Sequence, residues 1–180
     1  MKKTLSFLMA LVLVLSLGTM AFADETTTLS TTVPPATYTL NIPTDQEIAF
    51  GATSTNVGSV SVTDGSGFAA GKDLKVTISY GTFTSETVPG QIPFSLRFTS
   101  SESNPYVTGS PEVTVVSGDS ITFEGLASGK TQEYFRAEKS GFTYNMNMLY
   151  VDINSADWGK ALGGDYTATI TFTSEVVLAE

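Results

Sequence analysis

Trp158 is the chain's single tryptophan and stands in Asp157-Trp158-Gly159-Lys160. A flat indole can stack on the face of a pyranose ring, so this residue is the first candidate for recognition chemistry. A lone tryptophan leading into a strand more often anchors packing, and that role is weighed beside the first. Tyr106, Tyr134 and Tyr150 could extend a platform around it, whereas Tyr80 and Tyr144 fall on the apolar side of their segments and read as core. Candidate ligand-binding residues are therefore Trp158, Tyr106 and Tyr134.

Covalent and acid/base chemistry finds little to work with. Histidine and cysteine are both absent, which removes imidazole bases, Ser-His-Asp and Cys-His arrangements, thiolate zinc sites and disulfides together. A glycosidase needs only two carboxylates, and 18 acids are present. Glu86, Glu102, Glu112, Asp119 and Glu138 lie near Ser, Gly or Pro, where exposed loop charge is expected. Asp64, Asp119 and Asp165 are single acids beside glycines, which turn chemistry explains without calcium. Neither a phosphate-cradling glycine loop nor a nucleophile elbow is present. The chain is expected to be no enzyme, with no catalytic residue, metal or cofactor.

The elements that would position the aromatic residues follow an export segment. Lys2 and Lys3 precede an apolar run from Leu5 to about Leu17, and Ala21-Phe22-Ala23 precedes Asp24. This is the pattern of a signal peptide over residues 1–23, cleaved between Ala23 and Asp24, with Ala21 and Ala23 as the small residues of the site. Losing two lysines takes the net charge from −9 to −11. Nucleic acid and anionic membranes are then poor partners, though such a charge excludes partners better than it selects one; a cell-wall glycan or a protein partner is left as the expectation. Residues 24–35 are Thr-rich and close on Pro34-Pro35, a flexible leader. A monomer with a loose leader is the expectation; self-assembly, by pairing of the leader within Asp24 to Ile42 on a neighbouring copy, is the alternative, and Tyr38 to Ile42 is more economically the domain's own first strand.

Residues 36–180 read as one domain of about eight or nine short strands. Tyr38, Leu40 and Ile42 alternate inward, and Val60 and Val62 precede a turn at Asp64-Gly65-Ser66-Gly67. Leu74, Val76, Ile78 and Tyr80 form a third inward set, and Phe94, Leu96 and Phe98 a fourth. Val113/Val115 and Ile121/Phe123 flank Ser117-Gly118-Asp119, a hairpin signal. The run Phe142 to Ile153 changes its apolar parity near Met148, which a bulge would reconcile. From Gly163 to Val177, Tyr166, Ala168, Ile170 and Phe172 face one way and four threonines the other. Short strands with scarcely any helix predict an all-β chain, specifically an immunoglobulin-like antiparallel β-sandwich.

The spacing Trp158-x-x-Ala161-x-x-Gly164-x-Tyr166-x-x-x-Ile170-x-Phe172, with the opening Tyr38-x-Leu40-x-Ile42-Pro43, resembles small secreted bacterial sandwich proteins. These are similar to Gram-positive surface modules, including the WxL-type group, and more distantly to fimbrial subunits. No Leu-Pro-x-Thr-Gly signal is present, so covalent wall attachment is not expected. The resemblance implies a secreted, non-enzymatic extracellular or cell-surface module with a structural or adhesive role. The alternative is a carbohydrate-binding module using Trp158 and exposed tyrosines.

Overall fold

Leu74, Val76 and Ile78 are fully buried along one side of a nine-residue strand, with Lys75, Thr77 and Ser79 between them still accessible. That alternation, repeated along the chain, builds the fold. The structure is a computed structural model and describes residues 30–31, 35–66, 68, 71–100, 111–126, 130–139 and 141–179. The chain divides after Val33, and every element below belongs to the unit Pro34–Glu180.

In order, the strands are β1 (Thr37–Asn41), β2 (Ser54–Ser59), β3 (Ser61–Ser66), β4 (Lys72–Tyr80), β5 (Phe83–Thr84), β6 (Gln91–Ile92) and β7 (Ser95–Thr99). They continue with β8 (Glu112–Val115), β9 (Ser120–Phe123), β10 (Lys130–Gln132), β11 (Phe135–Lys139), β12 (Phe142–Met146) and β13 (Met148–Asp152). A one-turn helix α1 (Ser155–Trp158) leads to β14 (Ile170–Leu178). The larger sheets are β2-β13-β7-β8, β14-β4-β9 and β1-β3-β10, with β11-β12 and β5-β6 as pairs, and the pairings are antiparallel. The chain is therefore all-β. It has more and shorter strands than the expected eight or nine: Val60, Pro93-Phe94 and Asn147 each split a run into two, and β5, β10 and β11 lie in segments where no strand was expected.

One hydrophobic core takes residues from the two main sheets, β2-β13-β7-β8 and β14-β4-β9, and from β3, β6, β11 and β12. Phe135 of β11 sits edge-on against Phe98 of β7 at 4.8 Å and Phe123 of β9 at 6.2 Å. The Tyr80 hydroxyl donates to the Val115 carbonyl at 2.7 Å, tying the end of β4 to β8. β1 pairs with β3 of its own chain, as the expectation of an own first strand requires.

Several local expectations are corrected. Ile42 is 46 % exposed rather than inward, because β1 ends at Asn41. Asp64-Gly65 is no turn: β3 runs through it, with Asp64 at φ +54° and the pairing to β1 slipping between Thr37 and Thr39. An aspartate tolerates that left-handed conformation better than most side chains, so the irregularity bends the strand without ending it. Ser117-Gly118-Asp119 is no hairpin either, since β8 pairs with β7 while β9 pairs with β4. The Asp119 carboxylate accepts from the Val116 N–H at 2.8 Å, and Gly118 N–H donates to the Ile78 carbonyl at 2.8 Å. These bonds swing the chain from one sheet onto the other. The parity change in the long run falls at Asn147, between β12 and β13, and the β13–β2 register shifts between Leu149 and Tyr150, close to where a bulge is expected, while Phe142 is 53 % exposed.

The ladder of β14 with β4 begins at Ile170, later than the Gly163 start that the patterning predicts. Before that, Thr167 exchanges both backbone bonds with Thr84 of β5, at 2.8 and 2.9 Å. The face alternation nevertheless holds, with Tyr166, Ala168, Ile170 and Phe172 half-buried and the threonines between them exposed. Trp158, Ala161, Tyr166, Ile170 and Phe172 all pack against the core. A Cβ on Gly164 would lie 2.9 Å from Val88 Cγ2, so glycine permits that close approach. The spaced motif near residue 160 is thus a packing motif.

Candidate functional site

Where β9 ends and β10 passes toward β11, the surface opens into a cleft of about 540 Å³, lined by Glu124, Gly125, Leu126, Thr131, Gln132, Tyr134 and Arg136. Its walls are fixed from below. Leu126 is 4 % exposed, and the Gly125 N–H donates to the Asp73 carboxylate at 2.9 Å. Gly125 has φ +62°, which lets the backbone turn tightly enough to present that N–H. Phe135 is held in the core by Phe98 and Phe123. In a strand, neighbours of an inward residue point the other way, which places Tyr134 and Arg136 on the cleft side. Among the described residues, Arg136 and Glu124 form no ion pair. The cleft offers an aromatic ring, a guanidinium, a carboxylate, an amide and a hydroxyl within one concavity.

A second polar cluster lies on the four-stranded sheet and is built differently. Arg97 of β7 donates from Nε to Asp152 of β13 at 2.6 Å, from Nη1 to Glu112 of β8 at 2.8 Å and from Nη2 to Ser54 Oγ of β2 at 2.8 Å. Its guanidinium carbon lies 4.4 Å from the centroid of the Tyr150 ring. The strand register sets this up, since Tyr150 stands opposite both Arg97 and Asn56. One cation therefore binds all four strands of the sheet, and its donors are met by acceptors on the protein itself. Glu112, expected as loop charge, is instead a strand residue in this lattice.

The sequence candidates separate. Tyr134 lines the cleft. Trp158 lies elsewhere: its indole N–H donates to the Ala52 carbonyl at 2.9 Å, and its ring meets the exposed Phe50 edge-on at 5.3 Å while packing on the core. The helix that carries it starts where the Asn154 side chain accepts from the Ala156 N–H, an N-cap. The two residues thus do not line one cleft, and Trp158, partly buried, packs on the core. Tyr106, together with Ala21, Ala23 and Asp24, lies outside the described residues. Tyr150, with one face under Arg97, is committed to the lattice.

No protein-family model matches the chain, and no curated protein or solved structure is found similar to it. The site must therefore be read from its own chemistry. No group of three or more Asp or Glu side chains that could hold a metal occurs among the described residues, and none of their helices is long and apolar enough to cross a membrane.

Sequence reasoning missed Arg97, Asp152, Glu124 and Arg136. A signal existed for the first two: Arg97 lies between inward Leu96 and Phe98, and Asp152 between inward Val151 and Ile153. Each is an outward charge on an otherwise apolar strand, and such charges seek partners on neighbouring strands.

Proposed function

We propose that the chain is a secreted, non-enzymatic extracellular or cell-surface module with a structural or adhesive role, built as an immunoglobulin-like β-sandwich. The Arg97 lattice carries this reading. Its charged groups are matched to one another across four strands, an arrangement suited to a rigid scaffold. The shared core beneath the two main sheets supports the sandwich, and the signal-peptide pattern of residues 1–23 supports export.

Fractionation of the producing cells, with mass spectrometry of the mature N-terminus, tests export. The expected product begins at Asp24 and is found in the medium or on the surface. An intact Met1 to Glu180 chain retained in the membrane fraction would overturn it. The same material is expected to show no turnover of peptides, esters or polysaccharides, and turnover removed by one Asp or Glu substitution would make it an enzyme.

The cleft supports a second reading, carbohydrate binding, with Tyr134 rather than Trp158 as its aromatic surface. Glycan-array binding by the secreted protein separates the two. Binding would add glycan recognition to the module, and a silent array would leave the scaffold reading alone.

A further inference from the structure

The polar groups of the Tyr134 cleft are not matched to one another as those around Arg97 are, so they are available to something else. We infer that the cleft is a saccharide subsite selective for neutral pyranose residues over acidic ones, an inference that rests on the carbohydrate reading above.

The selectivity follows from the mixture of groups. A sugar hydroxyl both donates and accepts, and a pyranose carries such hydroxyls around a rim whose C–H face is apolar. The Tyr134 ring covers that face, Gln132 and Arg136 supply N–H donors, and the Glu124 carboxylate accepts from neighbouring hydroxyls. An acidic sugar would bring its carboxylate into a cleft where the Arg136 cation is already offset by Glu124, in a chain whose net charge of −9 becomes more negative when residues 1–23 are removed, so the field it meets is repulsive. An apolar ligand would desolvate Glu124 and Arg136 without pairing them. Small-ligand sites run from about 300 to 1,000 Å³, and the cleft's volume of about 540 Å³ lies inside that range and admits a mono- or disaccharide.

The walls are also preorganised. Phe135 fixes the strand between Tyr134 and Arg136, and Asp73, itself only 8 % exposed, fixes the Gly125 turn beside Glu124. At these two positions binding orders side chains on backbone that is already held, which lowers its entropic cost.

Calorimetry on the secreted protein tests this with neutral cello-, xylo-, manno- and chito-oligosaccharides against oligogalacturonate. At least one neutral series is expected to bind and oligogalacturonate is not. Tyr134→Ala is expected to weaken the neutral ligand about tenfold or more, and Tyr134→Phe to stay within about twofold, because stacking needs the ring and not the hydroxyl. Glu124→Gln is expected to weaken it several-fold and to relax the exclusion of oligogalacturonate. Binding unaffected by Tyr134→Ala would overturn the subsite while leaving carbohydrate recognition standing elsewhere on the surface. Preference for the acidic series would overturn the selectivity, and binding of no sugar would overturn this inference and the carbohydrate reading together.

Discussion

Two polar clusters on this molecule contain an arginine, a carboxylate and a tyrosine, yet they are organised in opposite ways. Around Arg97 the groups face one another: its N–H groups meet Asp152, Glu112 and Ser54, and Tyr150 lies against the cation. Around Tyr134 they converge on open space, and Arg136 and Glu124 pair with no other described side chain. Residue composition alone does not distinguish a tie from a site. What distinguishes them is whether hydrogen-bonding capacity is satisfied inside the protein, because a satisfied cluster has little to offer a ligand.

The contrast can be tested from its foundation outward. Phe135→Ala removes the ring wedged between Phe98 and Phe123 and is expected to cost about 3–5 kcal/mol, so denaturant melts should show the largest loss of any variant here. It should also remove the saccharide binding proposed for the cleft, since the strand that carries Arg136 loses its anchor. Arg97→Met removes the cation that Asp152 and Glu112 reach from the strands on either side of β7. With Arg97 and Asp152 side chains 20 % and 26 % exposed, screening is partial, and a loss of about 2 kcal/mol is expected. For a domain of this size that corresponds to a melting temperature lower by about 4–8 °C, with sugar binding unchanged.

Trp158→Phe keeps most of the packing and loses the bond to the Ala52 carbonyl, so it is expected to destabilise by about 1 kcal/mol without touching ligand binding. Binding lost together with a normal melt would place Trp158 in a site after all. Tyr134→Ala and Arg136→Gln are expected at the other extreme, within about 0.5 kcal/mol of the parent in melts, because neither supports the core. A large destabilisation by either would erase the distinction between tie and cleft.

Much of the strand content was legible because inward residues announce themselves by parity: Leu74, Val76 and Ile78, or Leu96 and Phe98, need no partner to be recognised. Pairing was not legible. The segments around Ser117-Gly118-Asp119 carry every local mark of a hairpin, and the choice to place β8 and β9 in different sheets depends on bonds from that turn to Ile78. The same blindness hid the Arg97 lattice, whose members come from four separated segments, and reduced the cleft to a single tyrosine. Trp158 drew attention for its rarity, while the residues that share a concavity with Tyr134 are ordinary ones whose meaning is entirely positional.

The pairing of β4 with β14 sets a timetable for the chain. β4 is buried between β9 and β14, yet its nine-residue partner lies roughly a hundred positions further along the sequence, so the loop must close before the pairing rewards it. Until residues 170–178 have been made, one flank of β4 has no partner strand, and the half-buried faces of Ile170, Phe172 and Val176 are missing from the core. The β4–β14 ladder can therefore close only once the chain has been made through residue 178.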